Sequence, residues 1–145
     1  MSHSNNQTRS QSRSDLELDR YIRAGSLTTS SNTLNELAED SQYLIRARVA
    51  ENPNTPLWTL LRLVNDDHEQ VRLAAFFNPR LPASEQHYLA RDPHADVRYA
   101  LAEDAATAVD ILDILADDEN VYVQDRAKKT LQALCQAEGC QKKAA

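Results

Sequence analysis

The fold class this sequence predicts is all-α: a solenoid of about four 26-residue, two-helix repeats with a capping helix at each end. Three observations carry it. Leu37, Leu63, Leu89 and Leu115 recur every 26 residues, and so do Asp40, Asp66, Asp92 and Asp118. Further columns keep the same register without insertion or deletion: Ile45, Val71, Val97 and Val123; Arg46, Arg72, Arg98 and Gln124; Asn52, Asn78 and Asp104; Pro53 and Pro79; Pro56 and Pro82. The 145 residues include only two glycines, which disfavours tight hairpins and phosphate-cradling loops, both of which lean on glycine. A fixed period of this length marks stacked repeats, each burying its apolar face only against its neighbours.

Residues 1–14 are Ser, Asn, Gln and Arg with no apolar anchor beyond Met1, so a disordered polar tail is expected there. Ser14 with Glu17 three residues later forms a capping-box pattern, which predicts the first helix start. That helix presents Leu18, Tyr21 and Ile22 on one face and stops near Gly25. Residues 15–136 are expected to form the repeat domain: an amino-terminal cap over 15–33, repeats over about 34–131, and a cap helix to 136. Residues 137–145 are expected to be a flexible tail.

Within a period, one short helix is predicted over about 56–65, with equivalents at 82–91 and 108–117. Pro56 and Pro82 are placed at its first position, where a missing amide costs nothing. A second helix is predicted over about 68–77, with equivalents near 42–51, 94–103 and 120–134. The Asn52-Pro53 and Asn78-Pro79 steps end it, because a residue before proline is pushed out of the α region. Two helices and two turns fit 26 residues only if both are short, one of them partly 3₁₀. After Val123, the residues Ala127, Leu131 and Leu134 continue at helical spacing while the proline columns vanish, as a terminal cap requires.

The strings Ala50-Glu-Asn-Pro-Asn-Thr-Pro56 and Leu63-Val-Asn-Asp-Asp-His-Glu-Gln-Val-Arg72 resemble the leucine-rich repeat variant family over about residues 27–131. The resemblance implies a right-handed superhelix of alternating α and 3₁₀ helices, loosely related to HEAT and armadillo solenoids. It also implies a scaffold that binds other macromolecules, without naming one. Some members carry an iron–sulfur cluster on an amino-terminal cysteine-rich segment, but this chain has no cysteine before Cys135, so that feature does not carry over.

The chemistry-bearing residues point away from catalysis. No G-x-S-x-G, no HExxH and no nucleophile with a recognisable base partner occurs, and no catalytic residue is assigned. Cys135 and Cys140 form a lone C-x4-C, and the histidines at 3, 68, 87 and 94 are scattered. Zinc and iron–sulfur sites want four ligands, so no metal or cofactor is expected. The Asp column followed six residues later by the Arg column reads as a structural ladder from turn to helix, each Asp being a candidate helix cap. The competing reading makes Arg46, Arg72 and Arg98 a phosphate-binding stripe, which needs their guanidiniums unpaired and on one face.

Residues that break their column are the candidates for partner binding. Trp58 stands with Asn32, Ser84 and Asp110, and Phe77 with Glu51, Glu103 and Lys129. Aromatics at otherwise solvent-facing positions suggest exposed apolar surface, and Trp is a favoured interface anchor. Trp58 and Phe77 are expected to share one edge, bordered by Arg62 one turn after Trp58. Tyr122, in the column of Leu44, Gln70 and Asp96, is a weaker candidate.

The function expected is therefore a non-catalytic adaptor that binds another protein through one solenoid face. The net charge of −6, and the run Glu103, Asp104, Asp110, Asp113, Asp117, Asp118 and Glu119 without an intervening Lys or Arg, argue against a nucleic-acid partner. A nucleic-acid-binding helical repeat remains the alternative, and a secreted bacterial effector with a Ser-rich export tail a lower one. No run of eighteen apolar residues exists, so no membrane partner is expected. Met1–Ser14 lacks an apolar h-region, and a cytoplasmic location is expected.

Overall fold

The computed structural model describes residues 4–137, with side chains from Ser14 onward. The described residues are helical, with no strand among them. The chain divides into two compact units, Met1–Leu81 and Pro82–Ala145. The first holds α1 (Ser4–Gly25), α2 (Ser31–Leu37), α3 (Tyr43–Glu51), α4 (Leu57–Leu63) and α5 (Glu69–Phe76). The second holds α6 (Ala83–Leu89), α7 (Ala95–Glu103), α8 (Val109–Leu115) and α9 (Val121–Ala137).

Three expectations shift. α1 begins at Ser4, upstream of the Ser14 capping pattern, so Ser4–Ser14 is helical rather than a disordered tail. No proline or glycine interrupts the chain before Gly25, so nothing local ends the helix earlier. Pro56 and Pro82 occupy the N-cap, one position before the first helical residue, with extended ψ of 143° and 148°. The Pro56 carbonyl accepts the Thr59 and Leu60 amides at 3.0 Å, so the ring supplies the fixed φ and the first acceptor while its missing N–H is not needed. Both helices of each pair are α, with no 3₁₀ helix among the described residues. Residues 1–3 and 138–145, including His3, Cys140 and most of the expected carboxyl-terminal tail, lie outside the described residues.

In the first unit α3 packs between α1 and α5. The ring of Tyr43, at the start of α3, stacks on His68, the N-cap of α5, with centroids 3.6 Å apart. At the other end the Asn78 amide donates to the Ala50 carbonyl at 2.7 Å and the Asn52 carbonyl at 3.0 Å. Amino ends meet amino ends and carboxyl ends meet carboxyl ends, so α3 and α5 run parallel. Asn52 does the same for α1 and α3, donating to the Ala24 and Ser26 carbonyls at 2.8 and 2.9 Å. Both asparagines are buried, where an unmet carbonyl would cost about 1–3 kcal/mol.

The column positions explain the core. Leu63, Leu89 and Leu115, Val71, Val97 and Val123, and the set Val49, Ala75, Leu101 and Ala127 are all buried. α1 belongs to the same register: Arg20 precedes Arg46 by one period, while Asp19 and Arg23 replace the buried Ile45 and Val49. Asp19 and Arg23 are exposed and pair along the helix, which turns a packing face into a solvated end. Asp40, Asp66, Asp92 and Asp118 each accept the amide two residues on at 2.8–2.9 Å. They shape the turn ahead of the helix rather than capping it, since the N-caps of α3, α5 and α7 are Gln42, His68 and His94.

Candidate functional site

The Arg column is spent on structure. Arg46 donates from Nε and Nη2 to the two carboxylate oxygens of Asp66 at 2.7 and 2.8 Å, and from Nη1 to the Asp40 carbonyl at 2.8 Å. Arg98 repeats this in the second unit, reaching Asp118 at 2.7 and 3.1 Å and the Asp92 carbonyl at 2.6 Å. Arg72 donates to the Asp66 carbonyl at 2.8 Å, and Arg20 pairs with Asp40 at 3.1 Å. The two-point forks of Arg46 on Asp66 and Arg98 on Asp118 match guanidinium to carboxylate geometry and are the stronger kind of ion pair. Donating to Asp66 raises the pKa of Arg46, and donating to Asp118 raises that of Arg98. Burial pushes the Asp66 carboxyl up, but the bonds from Arg46 and the His68 amide outweigh it and hold it below the usual range. A phosphate stripe on this column needs unpaired guanidiniums, and those of Arg46 and Arg98 are paired. Around Arg98 the charged lining is Arg91 with Asp92, Asp117, Asp118 and Glu119, a balance that disfavours anions.

A different feature opens on the first unit. Parallel packing sets one strip of α3 (Leu44, Ala47, Arg48, Glu51) beside one strip of α5 and its cap (Gln70, Leu73, Ala74, Phe77). Each strip follows i, i+3, i+4, i+7, the spacing that keeps residues on one helix face. The alanines leave a floor of small side chains, and Leu44, Leu73 and Phe77 form walls, giving an open groove of about 390 Å³. Tyr21 of α1 closes one side. The Arg48 guanidinium lies 5.7 Å from the Tyr21 ring centroid and donates to Glu51 at 2.7 Å. That bond to Glu51 raises the Arg48 pKa. Gly25 leaves the room for it, because a Cβ there would collide with the Arg48 guanidinium.

The column-breaking residues separate. Phe77 lines the groove, 46% exposed, with its edge against buried Phe76. Trp58 is 55% exposed on α4, outside the groove lining, so the structure does not place the two in one pocket. Arg62 is engaged by Glu39 at 2.8 Å and by Asn35. Tyr122 stands on α9, 75% exposed. Sequence reasoning missed Tyr21, Leu44 and Leu73 as a group. Leu44 was visible only as the apolar mate of Tyr122, and the groove depends on alanines that look unremarkable in a helix.

Cys135 is half-buried on α9. Among the described residues no three His, Cys, Asp or Glu side chains cluster as metal ligands do, and no helix is long and apolar enough to cross a membrane. Comparison with family models, with curated proteins and with solved structures finds no match to this chain.

Proposed function

We propose that this chain is a non-catalytic adaptor: a helical-repeat solenoid of about four 26-residue units that binds another protein through one helix face. The observation that carries this reading is the groove of the first unit, where Tyr21, Leu44 and Phe77 stand exposed around an alanine floor. Contiguous exposed aromatic and aliphatic surface has a free-energy cost in water that a partner relieves. The repeated Asn and Asp–Arg bonds support the stacked-repeat reading, since each ties a residue to a neighbour about one period away. Resemblance to the leucine-rich repeat variant family rests on the strings at 50–56 and 63–72 alone.

The test is cross-linked capture from a lysate of the native organism, comparing the wild-type chain with Phe77→Ser and Trp58→Ser. Both side chains are about half exposed, so each variant should keep its helical circular-dichroism signal and its melting temperature within a few degrees. Phe77→Ser should weaken capture of a specific protein, and Trp58→Ser should do so if α4 shares the interface. Unfolding of both variants would show that these side chains belong to the core and that the exposed patch does not exist.

A further inference from the structure

The exposed apolar surface of the first unit is wider than the groove. Leu18, Tyr21 and Ile22 follow the i, i+3, i+4 spacing of one helix face, and Leu18 stands one period before Leu44. The parallel helices α1, α3 and α5 therefore present Leu18, Tyr21, Ile22, Leu44 and Phe77 on one side, each between 41% and 59% exposed. Half-buried Ala47, Leu73 and Ala74 lie among them. Large side chains cover roughly 150–250 Å² each, so five at about half exposure present on the order of 500 Å². With the alanine floor, Leu73 and the polar edge of Arg48, Glu51 and Gln70, the face reaches about 800 Å², the share one partner contributes to a standard stable interface.

Charge selects the occupant. Arg48 and Glu51 are the charged side chains lining the groove, and they satisfy each other at 2.7 Å. Carbonyls at the carboxyl ends are taken too, Ala24 by Asn52 and Ala50 by Asn78, so neither a basic nor an acidic partner finds a free counter-charge. A contact between two copies has the opposite requirement. In a two-fold pair each patch meets an identical patch, so a charged face sets like against like, while a neutral apolar one is self-complementary. Residues 1–81 hold nine Arg against ten Asp or Glu, whereas residues 82–145 hold seven Lys or Arg against twelve. Pairing through the first unit therefore joins the nearly neutral parts of two chains of net charge −6.

We propose that two copies of this chain pair through the α1–α3–α5 face, about a two-fold axis that crosses the helices at the level of Ala47 and Ala74. The facing helices then run antiparallel. Small side chains at the axis let the two faces approach closely, and Phe77 of each copy comes to lie over the Leu44 and Gln70 end of the other groove. This goes beyond the adaptor reading and does not depend on it. A partner entering the same groove competes with the second copy.

Sedimentation velocity of the full-length chain over a wide concentration range should show a monomer–dimer equilibrium. At the axis a residue meets its own copy, so Ala74→Glu and Ala74→Lys should each weaken pairing about tenfold or more. A mixture of the two variants should restore it, because opposite charges then meet. Arg48 and Arg126 stand at the equivalent column positions, so the fold accepts a long side chain there, and circular dichroism checks both variants. Phe77→Ser should also weaken pairing, and it decides the question if the Ala74 variants misfold. A wild type that stays monomeric at millimolar concentration overturns the proposal. So does a dimer that these substitutions leave intact, or a mixture of well-folded Ala74 variants that fails to pair. Failure of the adaptor reading looks different: cross-linked capture then returns only the chain itself, and the dimer stands. A monomeric wild type that still captures another protein sinks the dimer alone.

Discussion

The two units spend the same repeat columns differently on their surfaces. In the first, the columns of the α3 and α5 strips hold Leu44, Ala47, Leu73 and Phe77 around an open groove. One double period later they hold Asp96, Tyr99, Asp125 and Lys129, and the second unit's face is laced by Arg126–Glu103 at 2.9 Å and Lys129–Asp125 at 2.6 Å. The interior columns show no such drift: Val71 and Val123, and Ala75 and Ala127, are all buried. Burial constrains the inward columns to apolar residues of fitting size, while the outward columns are left to vary. Difference between copies is therefore where a partner-specific surface can arise.

The carboxyl-end ladder differs too. Asn52 and Asn78 donate side-chain amides to carbonyls about one period back. In the second unit Asp104 keeps the acceptor, taking the Ala106 amide at 2.8 Å, but a carboxylate has no N–H to give. Thr130 supplies the donor one period later, to the Ala102 carbonyl at 2.7 Å.

The largest expected effect separates the buried ladder from surface ion pairs. Arg98 and Asp118 have side chains 8% and 7% exposed, so Arg98→Ala strands a buried carboxylate and should cost about 3–5 kcal/mol. Arg62→Ala breaks an exposed pair with Glu39 and should cost about 1 kcal/mol or less. Urea unfolding of both variants checks the contrast, and equal losses would show that the ladder contributes no more than a surface bridge. The same ladder gives an acid-side dependence in the first unit. Because the Asp66 carboxyl is held below its usual pKa, its contribution is present above about 3.9, the unfolded value, and is lost as pH falls through the folded one.

A smaller effect probes the amide ladder. Asn78→Ala leaves the Ala50 carbonyl without its side-chain donor and should cost about 1–3 kcal/mol. The reciprocal change, Asp104→Asn, keeps the Ala106 contact at a half-exposed site and should stay within about 0.5 kcal/mol. Comparable losses in the two variants would mean that the Asn-to-Asp difference between the units carries no energetic weight.

What the sequence made legible follows the same division. The Leu and Val columns could be read because burial forces them to repeat, and the Asp–Arg ladder because a charged pair at fixed spacing is rare outside structure. Arg20 went unread: it lies one period before Arg46, but its neighbours Asp19 and Arg23 break the apolar columns, and only the packing of α1 on α3 reveals it as a further copy. The groove was not legible at all. Its floor consists of Ala47 and Ala74, ordinary helix formers whose meaning comes from lying side by side. Trp58 and Phe77 were singled out for refusing to repeat, but a column position does not say which layer a residue faces. Phe77 reaches the groove and Trp58 does not.

The smallest effect belongs to a contact confined to the second unit. The His87 Nδ1 lies 2.7 Å from the Ala83 carbonyl, and its Nε2 lies 2.9 Å from the Asp110 carboxylate. Both partners are acceptors, so a ring that satisfies both must carry two protons. The bond to Ala83 and then that to Asp110 raise its pKa above the usual value, against desolvation and the charge of Arg91. A folded pKa above the unfolded one stabilises the protein fully below about 6.5, and that gain disappears as pH rises through the folded value. The equivalent positions in the first unit are Asn35 and Leu61, neither of which titrates. Thermal melts of the wild type between about pH 6 and pH 8 should therefore show a small fall in melting temperature that His87→Gln removes. An unchanged slope in that variant would place the pH dependence elsewhere and leave the α6–α8 contact as an uncharged hydrogen bond.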